Sequence, residues 1–354
     1  MMLKQGAHPD PTDPSTPPPN LEQWTGRLRK AALGPALEAY RAALRLDGTP
    51  EVRAAVLDDL GTYYGFSTEE CVQHCLNWEA WSVEEWQARP RDTPASVHEF
   101  YRSTKSWSFD LLWYAYLQAE GYSYPVSAVI ADSVPPPAVR GAARHLDFGS
   151  GVGVTSQLFR RLGFESDLAD ISTSLLAFAR FRLERRGERA RYIDLNTDSI
   201  PKGEYDVITA IDTLAHVTDI PAAVATLHAA LKPGGSLFAN FDVRPPSPEN
   251  AWHLYSNDLP LRFQLQRAGF EPDLSLDGVS VRYRKTEPRG LRHAVRGARD
   301  LVLLKSPLRP LYRLTKGALH RAKSAGPRAA IEHVATNAGS IWPKPNSRDE
   351  AHAP

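Results

Sequence analysis

HLDFGSGVGVTSQLFRRL, residues 145–162, is the stretch whose reading decides the fold. HLDFG is a short apolar strand, GSGVG a loop, and Thr155–Leu162 the helix that follows. Glycines at 149, 151 and 153 let the backbone turn sharply and approach a ligand that side chains would exclude. An acid, Asp147, stands inside the strand that leads into this loop. In a nicotinamide or flavin site that carboxylate would face a pyrophosphate and repel it. Beside the ammonium group of an amino acid it would attract. Val154 also occupies the place where a dinucleotide fingerprint puts its third glycine, which speaks against a nicotinamide-dependent oxidoreductase.

Outward from the loop, strands and helices alternate. SDLAD is a second strand ending at Asp170, and Ser172–Arg186 is a helix with Leu175, Phe178 and Phe181 on one face. ARYIDL, YDVITAI and SLFANFDV are three further apolar, β-branched strands. PAAVATLHAALK forms the helix between the last two, and DLSLDGVSVRYRK reads as a hairpin about Asp277-Gly278. Repeated strand–helix units predict an α/β fold with a doubly wound, mostly parallel sheet. Asp170, at a strand end, suits hydrogen bonds to ribose hydroxyls. Asp194 ends the third strand and could accept from an adenine amino group. An ammonium group, a ribose and an adenine together describe S-adenosylmethionine.

On LDFGSGVG (146–153), the acid of LADIS (168–172), IDL (193–195), YDVITAIDTLAHV (205–217) and LKPGGSLFANF (231–241), the chain resembles the class I S-adenosylmethionine-dependent methyltransferases. The resemblance spans residues 140 to 286 and implies a seven-stranded Rossmann-like sheet ending in an antiparallel hairpin. It also implies that Gly149, Ser150, Gly151 and Gly153 wrap the methionine part, with Asp147 near its ammonium group. Asp170 and Ile171 would take the ribose, Asp194 and Leu195 would flank the adenine, and Asp212 would line the cofactor pocket. Ala215 departs from the pattern, since many relatives carry an acid before the histidine of that loop.

Methyl transfer from a sulfonium is an in-line displacement, so holding the partners in line provides much of the acceleration. A hydroxyl acceptor of high pKa also wants a base. Asp212 and His216 follow the fourth strand, and His253 and Tyr255 the fifth, where ligands of open α/β sheets sit. The catalytic candidates are His216, His253 and Tyr101. Tyr101 belongs to the aromatic helical stretch VHEFYRSTKSWSFDLLWYAYLQA (97–119), which also carries Arg102, Trp107 and Tyr114 and reads as one helix, either core or a lid over the cofactor. The expected acceptor is a small molecule, a sugar or a lipid-linked metabolite, methylated on oxygen, nitrogen or carbon. A non-catalytic module that only binds the cofactor is the alternative. Nucleic-acid methylation is disfavoured, because Ile211-Asp212-Thr213-Leu214 is not the Asn/Asp-Pro-Pro-aromatic motif of enzymes acting on base amino groups.

Four segments are expected: a disordered lead-in over 1–20, a helical region over 21–138 shaping the acceptor pocket, a cofactor-binding domain over 139–287, and a basic helical tail over 288–354. Ser67 with Glu70 and Ser82 with Glu85 have capping-box spacing. The net charge of +1 hides a tail between residues 288 and 328 in which eleven Lys or Arg face one acid, Asp300. Arg309, Arg313, Lys316 and His320 share a helical face there. An anionic membrane surface or an acidic carrier protein would fit it. Cys71-x-x-His74-Cys75 lacks a further ligand pair at metal-site spacing, so it reads as structural helix and no metal is expected. The opening residues lack a signal-peptide core and no window has bilayer-spanning length. Cytoplasmic residence, peripheral to a membrane through the tail, is the corresponding expectation.

Overall fold

The computed structural model describes residues 26–90, 93–241 and 258–287, with short pieces at 10–12, 16, 243, 254–255, 295, 298–299 and 302. The lead-in, His253 and the basic face at 309–320 lie wholly or almost wholly outside the described residues. The chain divides into two units, 1–288 and 289–354, so the helical region and the sheet belong to one body. No described helix is long and apolar enough to cross a membrane.

Among the described residues, eight helices precede the sheet: α1 (Gly26–Leu33), α2 (Pro35–Leu44), α3 (Val52–Tyr64), α4 (Thr68–Leu76), α5 (Trp78–Gln87), α6 (Pro94–Ser103), α7 (Ser106–Glu120) and α8 (Val126–Asp132). The Ser67–Glu70 capping box forms at the start of α4. On α4 both cysteines are buried, and the His74 ring packs between Phe66 and Trp81.

Two local expectations fail for one reason. Ser82 starts no helix: it lies buried within α5, and its hydroxyl meets that of Ser106 at 2.7 Å. Glu85 reaches across instead and accepts from the backbone N–H groups of Lys105 and Ser106 at 3.1 and 3.2 Å. Those are orphan donors at the start of a helix, so Glu85 caps α7 from another element. The stretch 97–119 therefore breaks into α6 and α7 at Thr104–Lys105.

The sheet holds β1 (Arg144–Phe148), β2 (Glu165–Asp170), β3 (Tyr192–Asp194), β4 (Tyr205–Ala210), β5 (Leu231–Ala239), β6 (Phe270–Leu276) and β7 (Ser280–Lys285), in the order β3-β2-β1-β4-β5-β7-β6. β1 to β5 pair in parallel, while β7 runs antiparallel to both β5 and β6. The sheet is thus mixed. The hairpin turns at Asp277 and Gly278, with φ of 48° and 74°, the two consecutive left-handed residues that a tight hairpin of matching twist requires.

Helices α9 (Val154–Arg161), α10 (Thr173–Arg185), α11 (Ile220–Ala230) and α12 (Leu259–Arg267) complete the layers. Neighbouring strand residues point to opposite faces, and the core divides accordingly. Val207 and Phe238 join a cluster with Leu158 and Phe159 of α9, Phe178 of α10, and α2, α3, α7 and α8. Leu146, Ile208 and Leu237 join another with α11 and α12. The N-terminal helices thus extend the α9/α10 layer. They bring α7 to the carboxyl ends of the strands, beside the glycine loop.

Candidate active site

The loop after β1 is tied down on every side. Gly149 and Ser150 donate backbone N–H groups to the Ala169 carbonyl at 2.8 and 3.1 Å. Gly151 N–H donates to Asp170 Oδ2 at 2.8 Å, and the Val152 carbonyl accepts from Arg182 Nη1 at 2.6 Å. Gly149 and Gly151 have φ of 72° and 51°, so any other residue would be strained there. Space is short as well. A Cβ on Gly149 would lie 2.2 Å from the Thr213 hydroxyl, and one on Gly151 2.8 Å from Leu111 Cδ1 of α7.

Asp147 is buried at the N-terminus of α9. The helix begins after Gly153, which has no side chain to cap it, and Asp147 Oδ2 accepts from the Ser156 N–H at 3.2 Å in its place. Its Oδ1 accepts from the Thr209 hydroxyl at 2.9 Å. Burial pushes its acid up to about 7, the two hydrogen bonds oppose that shift, and the charge of Asp170 adds to it. Asp170 is buried too, with Oδ2 on Gly151 N–H and Oδ1 on Ser172 N–H at 2.8 Å each. Its pKa is also raised, by burial first. Each oxygen keeps a second lone pair.

Asp194 ends β3 half-buried, and its Oδ1 accepts from the Asn196 N–H at 2.9 Å. Asn196 donates through Nδ2 to the Ile171 carbonyl at 2.8 Å, and its Oδ1 meets His98 Nε2 of α6 at 2.7 Å. The adenine end of the predicted site is therefore closed by α6. Ile171 and Leu195 are half-buried beside it.

At the end of β4, Asp212 adopts φ 50°, which for a non-glycine residue stores strain of the kind concentrated at functional sites. Asn240, after β5, holds it: the Asp212 N–H donates to Asn240 Oδ1 at 2.7 Å, and Asn240 Nδ2 donates back to Asp212 Oδ1. A single 3-10 turn, Leu214–His216, follows. The His216 ring is half-buried, 6.1 Å from Tyr101 and 6.4 Å from Trp107, centroid to centroid. Burial raises the Tyr101 hydroxyl far above its usual range, so this phenol stays protonated and cannot act as a base. Tyr255 donates its hydroxyl to the Val217 carbonyl at 3.0 Å.

The sequence-predicted residues that the structure describes thus gather at one end of the sheet, and His253 lies outside the described residues. Leu111, Thr213, Asn196, His98, Asn240 and Arg182 also shape the site and were not foreseen. Thr213 and Asn240 fall inside the quoted motifs without being singled out there, and no motif marks the other four, since each acts through a contact made only after folding.

These residues suit S-adenosylmethionine. The glycine backbone forms a cradle, and among the described residues Asp147 is a buried acid without a counter-charge in hydrogen-bond contact and the buried Ser150 hydroxyl makes no hydrogen bond. Three acids at Asp147, Asp170 and Asp194 match an ammonium group, a ribose diol and an adenine amino group, and would repel a pyrophosphate.

A family profile described as "Methyltransferase domain" matches residues 122–271. The chain is 28% identical over 160 residues to a ubiquinone biosynthesis O-methyltransferase of Xanthomonas campestris pv. campestris, covering 44% of this chain and 67% of that protein. It is 36% identical over 104 residues to a ubiquinone/menaquinone biosynthesis C-methyltransferase of Idiomarina loihiensis, covering 27% of this chain and 41% of that protein. Among solved structures, the 1,6-didemethyltoxoflavin-N1-methyltransferase of Burkholderia thailandensis aligns at 22% identity and a TM-score of 0.35, over 46% of this chain and 78% of that one. Residues 122–271 thus carry a methyltransferase domain.

Proposed function

We propose that the chain methylates a small-molecule acceptor that enters beside His216, beneath α6 and α7. The observation that carries this reading is the His216 ring at the end of β4, half-buried against Tyr101 and Trp107 of the helical region. Residues 21–138 then belong to the acceptor pocket as well as to the core. Aromatic walls favour a flat, apolar acceptor body. The relatives named for ubiquinone biosynthesis make hydroxylated precursors of that kind the first acceptors to try.

S-adenosylmethionine supplies an activated methyl group on a sulfonium. Asp147 holds its ammonium group, Asp170 its ribose hydroxyls, and Asp194 with Asn196 its adenine edge. Gly149, Gly151 and Gly153 let the backbone come close to the methionine part, and the strained Asp212 turn presents the acceptor side. His216 accepts the proton of an acceptor hydroxyl, while Tyr101 and Trp107 exclude water around it.

The test is turnover on a panel of hydroxylated aromatic acceptors, with S-adenosylhomocysteine affinity measured in parallel. His216→Ala should lower kcat by roughly 10²–10⁴-fold and leave cofactor affinity within a factor of about three. Unchanged kcat would remove His216 from the reaction. Tight cofactor binding with no turnover on any acceptor would favour a non-catalytic binding module.

A further inference from the structure

Five buried residues from four elements form a single file of hydrogen bonds that ends on Asp147. The Ser156 hydroxyl of α9 meets that of Ser166 on β2 at 2.8 Å. Ser166 meets His145 Nδ1 at 2.7 Å, and His145 Nε2 meets the Thr209 hydroxyl at 2.9 Å. Thr209 meets Asp147 Oδ1 at 2.9 Å. All five are buried, and the His145 ring stacks on Phe159 at 3.8 Å with 8° between planes, which fixes both nitrogens in place. Nothing in cofactor contact explains a polar file through the middle of a sheet, where partial satisfaction would be costly.

Each hydroxyl has one proton, so the direction of the whole file follows from one end. When Asp147 is ionised, Thr209 must donate to it. Thr209 then accepts from His145 Nε2–H, leaving Nδ1 to accept from Ser166, which accepts from Ser156. Burial holds His145 down to about 3, so its ring is neutral and carries only one proton. The other state of the file has Asp147 protonated on Oδ1, the oxygen that faces Thr209. Asp147 then donates to Thr209, Thr209 donates to His145 Nε2, and the ring proton resides on Nδ1, facing Ser166. One proton is gained at Asp147, and the rest is reorientation plus one tautomer change.

We infer that His145 and Thr209 are positioning residues for the cofactor's amino group: the Nε2–H tautomer turns the Thr209 hydroxyl onto Asp147 and keeps that carboxylate ionised for the ammonium group. The inference rests on the S-adenosylmethionine reading of the site. Asp170, across the loop, is the other acid acting on Asp147, and Arg182 reaches the same loop at the Val152 carbonyl. Neither contacts His145, so the file is the route by which the sheet interior acts on the carboxylate.

The test is ¹⁵N NMR of the full chain labelled at histidine, with the His145 signals assigned by their loss in His145→Asn. In the free protein the Nε2–H tautomer should dominate at pH 8.5 and the Nδ1–H tautomer at pH 5.5. Saturating S-adenosylhomocysteine should restore Nε2–H at pH 5.5. One tautomer under all three conditions overturns the inference. Thr209→Val keeps the side-chain shape and deletes the hydroxyl: S-adenosylhomocysteine affinity should fall about tenfold, with Thr209→Ser restoring it, and unchanged affinity in a folded Val variant would also overturn it. Failure of the wild-type chain to bind S-adenosylhomocysteine refutes the cofactor reading instead, and the pH-driven tautomer change still tests the file by itself.

Discussion

Arg182 Nη1 donates to the Val152 carbonyl across 2.6 Å while Nε of the same guanidinium holds Asp59 Oδ2 at 3.1 Å. Arg182 is fully buried on α10, Asp59 fully buried on α3, and Val152 lies in the glycine loop. One side chain therefore joins the helical region to the backbone of the glycine loop. Arg185 and Arg186 also bind Asp59, and Arg186 donates to the carbonyls of Leu44 and Arg45 at the end of α2. Burial, reinforced by neighbouring Arg186, lowers Arg182 to about 10, still well above neutral pH, so it remains charged.

Removing one partner of such a group strands buried charge. Asp59→Ala should lose about 3–5 kcal/mol of unfolding free energy, read by urea denaturation. S-adenosylhomocysteine binding should weaken as well, since Arg182 loses the partner that aims it at Val152. A variant as stable as the parent would show that water already screens this cluster.

Gly151→Ala meets two obstacles, a left-handed φ of 51° and Leu111 Cδ1 at 2.8 Å. The conformational part amounts to about 1–2 kcal/mol. Gly151→Ala should lower cofactor affinity severely, and Leu111→Ala in the same chain should recover part of the loss by giving space without relieving φ. Complete recovery in the titration would mean that crowding alone matters.

The raised Asp147 acid sets a pH dependence. Its folded pKa is about 7 against a usual 3.8. In the free protein it therefore contributes less and less stability as pH rises from about 4 through 7. A cofactor ammonium group favours the ionised form, so binding below pH 7 must expel a proton. S-adenosylhomocysteine affinity should fall by up to about tenfold per pH unit below 7 and level off above it. Calorimetry at pH 6 in two buffers of different ionisation heat should show proton release on binding, and an affinity flat from pH 5.5 to 8 contradicts the assignment.

The tail at 289–354 forms a unit by itself, and its function stands as a proposal that the basic segment docks on an anionic membrane surface. The full chain should sediment with phosphatidylserine vesicles at low salt and release at high salt. A chain ending at residue 288 should keep cofactor binding and lose the vesicles. Equal sedimentation of both chains, or capture by an acidic carrier protein alone, would exclude the membrane reading.

The alternation of apolar strands and amphipathic helices from residue 145 to 285 made the sheet legible, and the acids at the strand ends carried the cofactor expectation. Both signals are local: strand period, glycine freedom and acid placement are carried by a few consecutive residues. The hairpin was readable for the same reason, because Asp277-Gly278 alone satisfies the turn. The break between α6 and α7 was not, because its cause is Glu85, about twenty residues upstream. Ser82 had cap spacing too, yet packing placed it inside a helix.

By itself, then, the sequence determined the order of strands and helices, the glycine loop and the three acids, since each needs only its neighbours in the chain. Tertiary structure decided the rest. It placed Leu111 and Thr213 over the loop, drew Arg182 from α10 to Val152, and lined up Ser156, Ser166, His145 and Thr209 behind Asp147. Those contacts join residues far apart in sequence, and their strength comes from exclusion of water, which exists only once the core has closed.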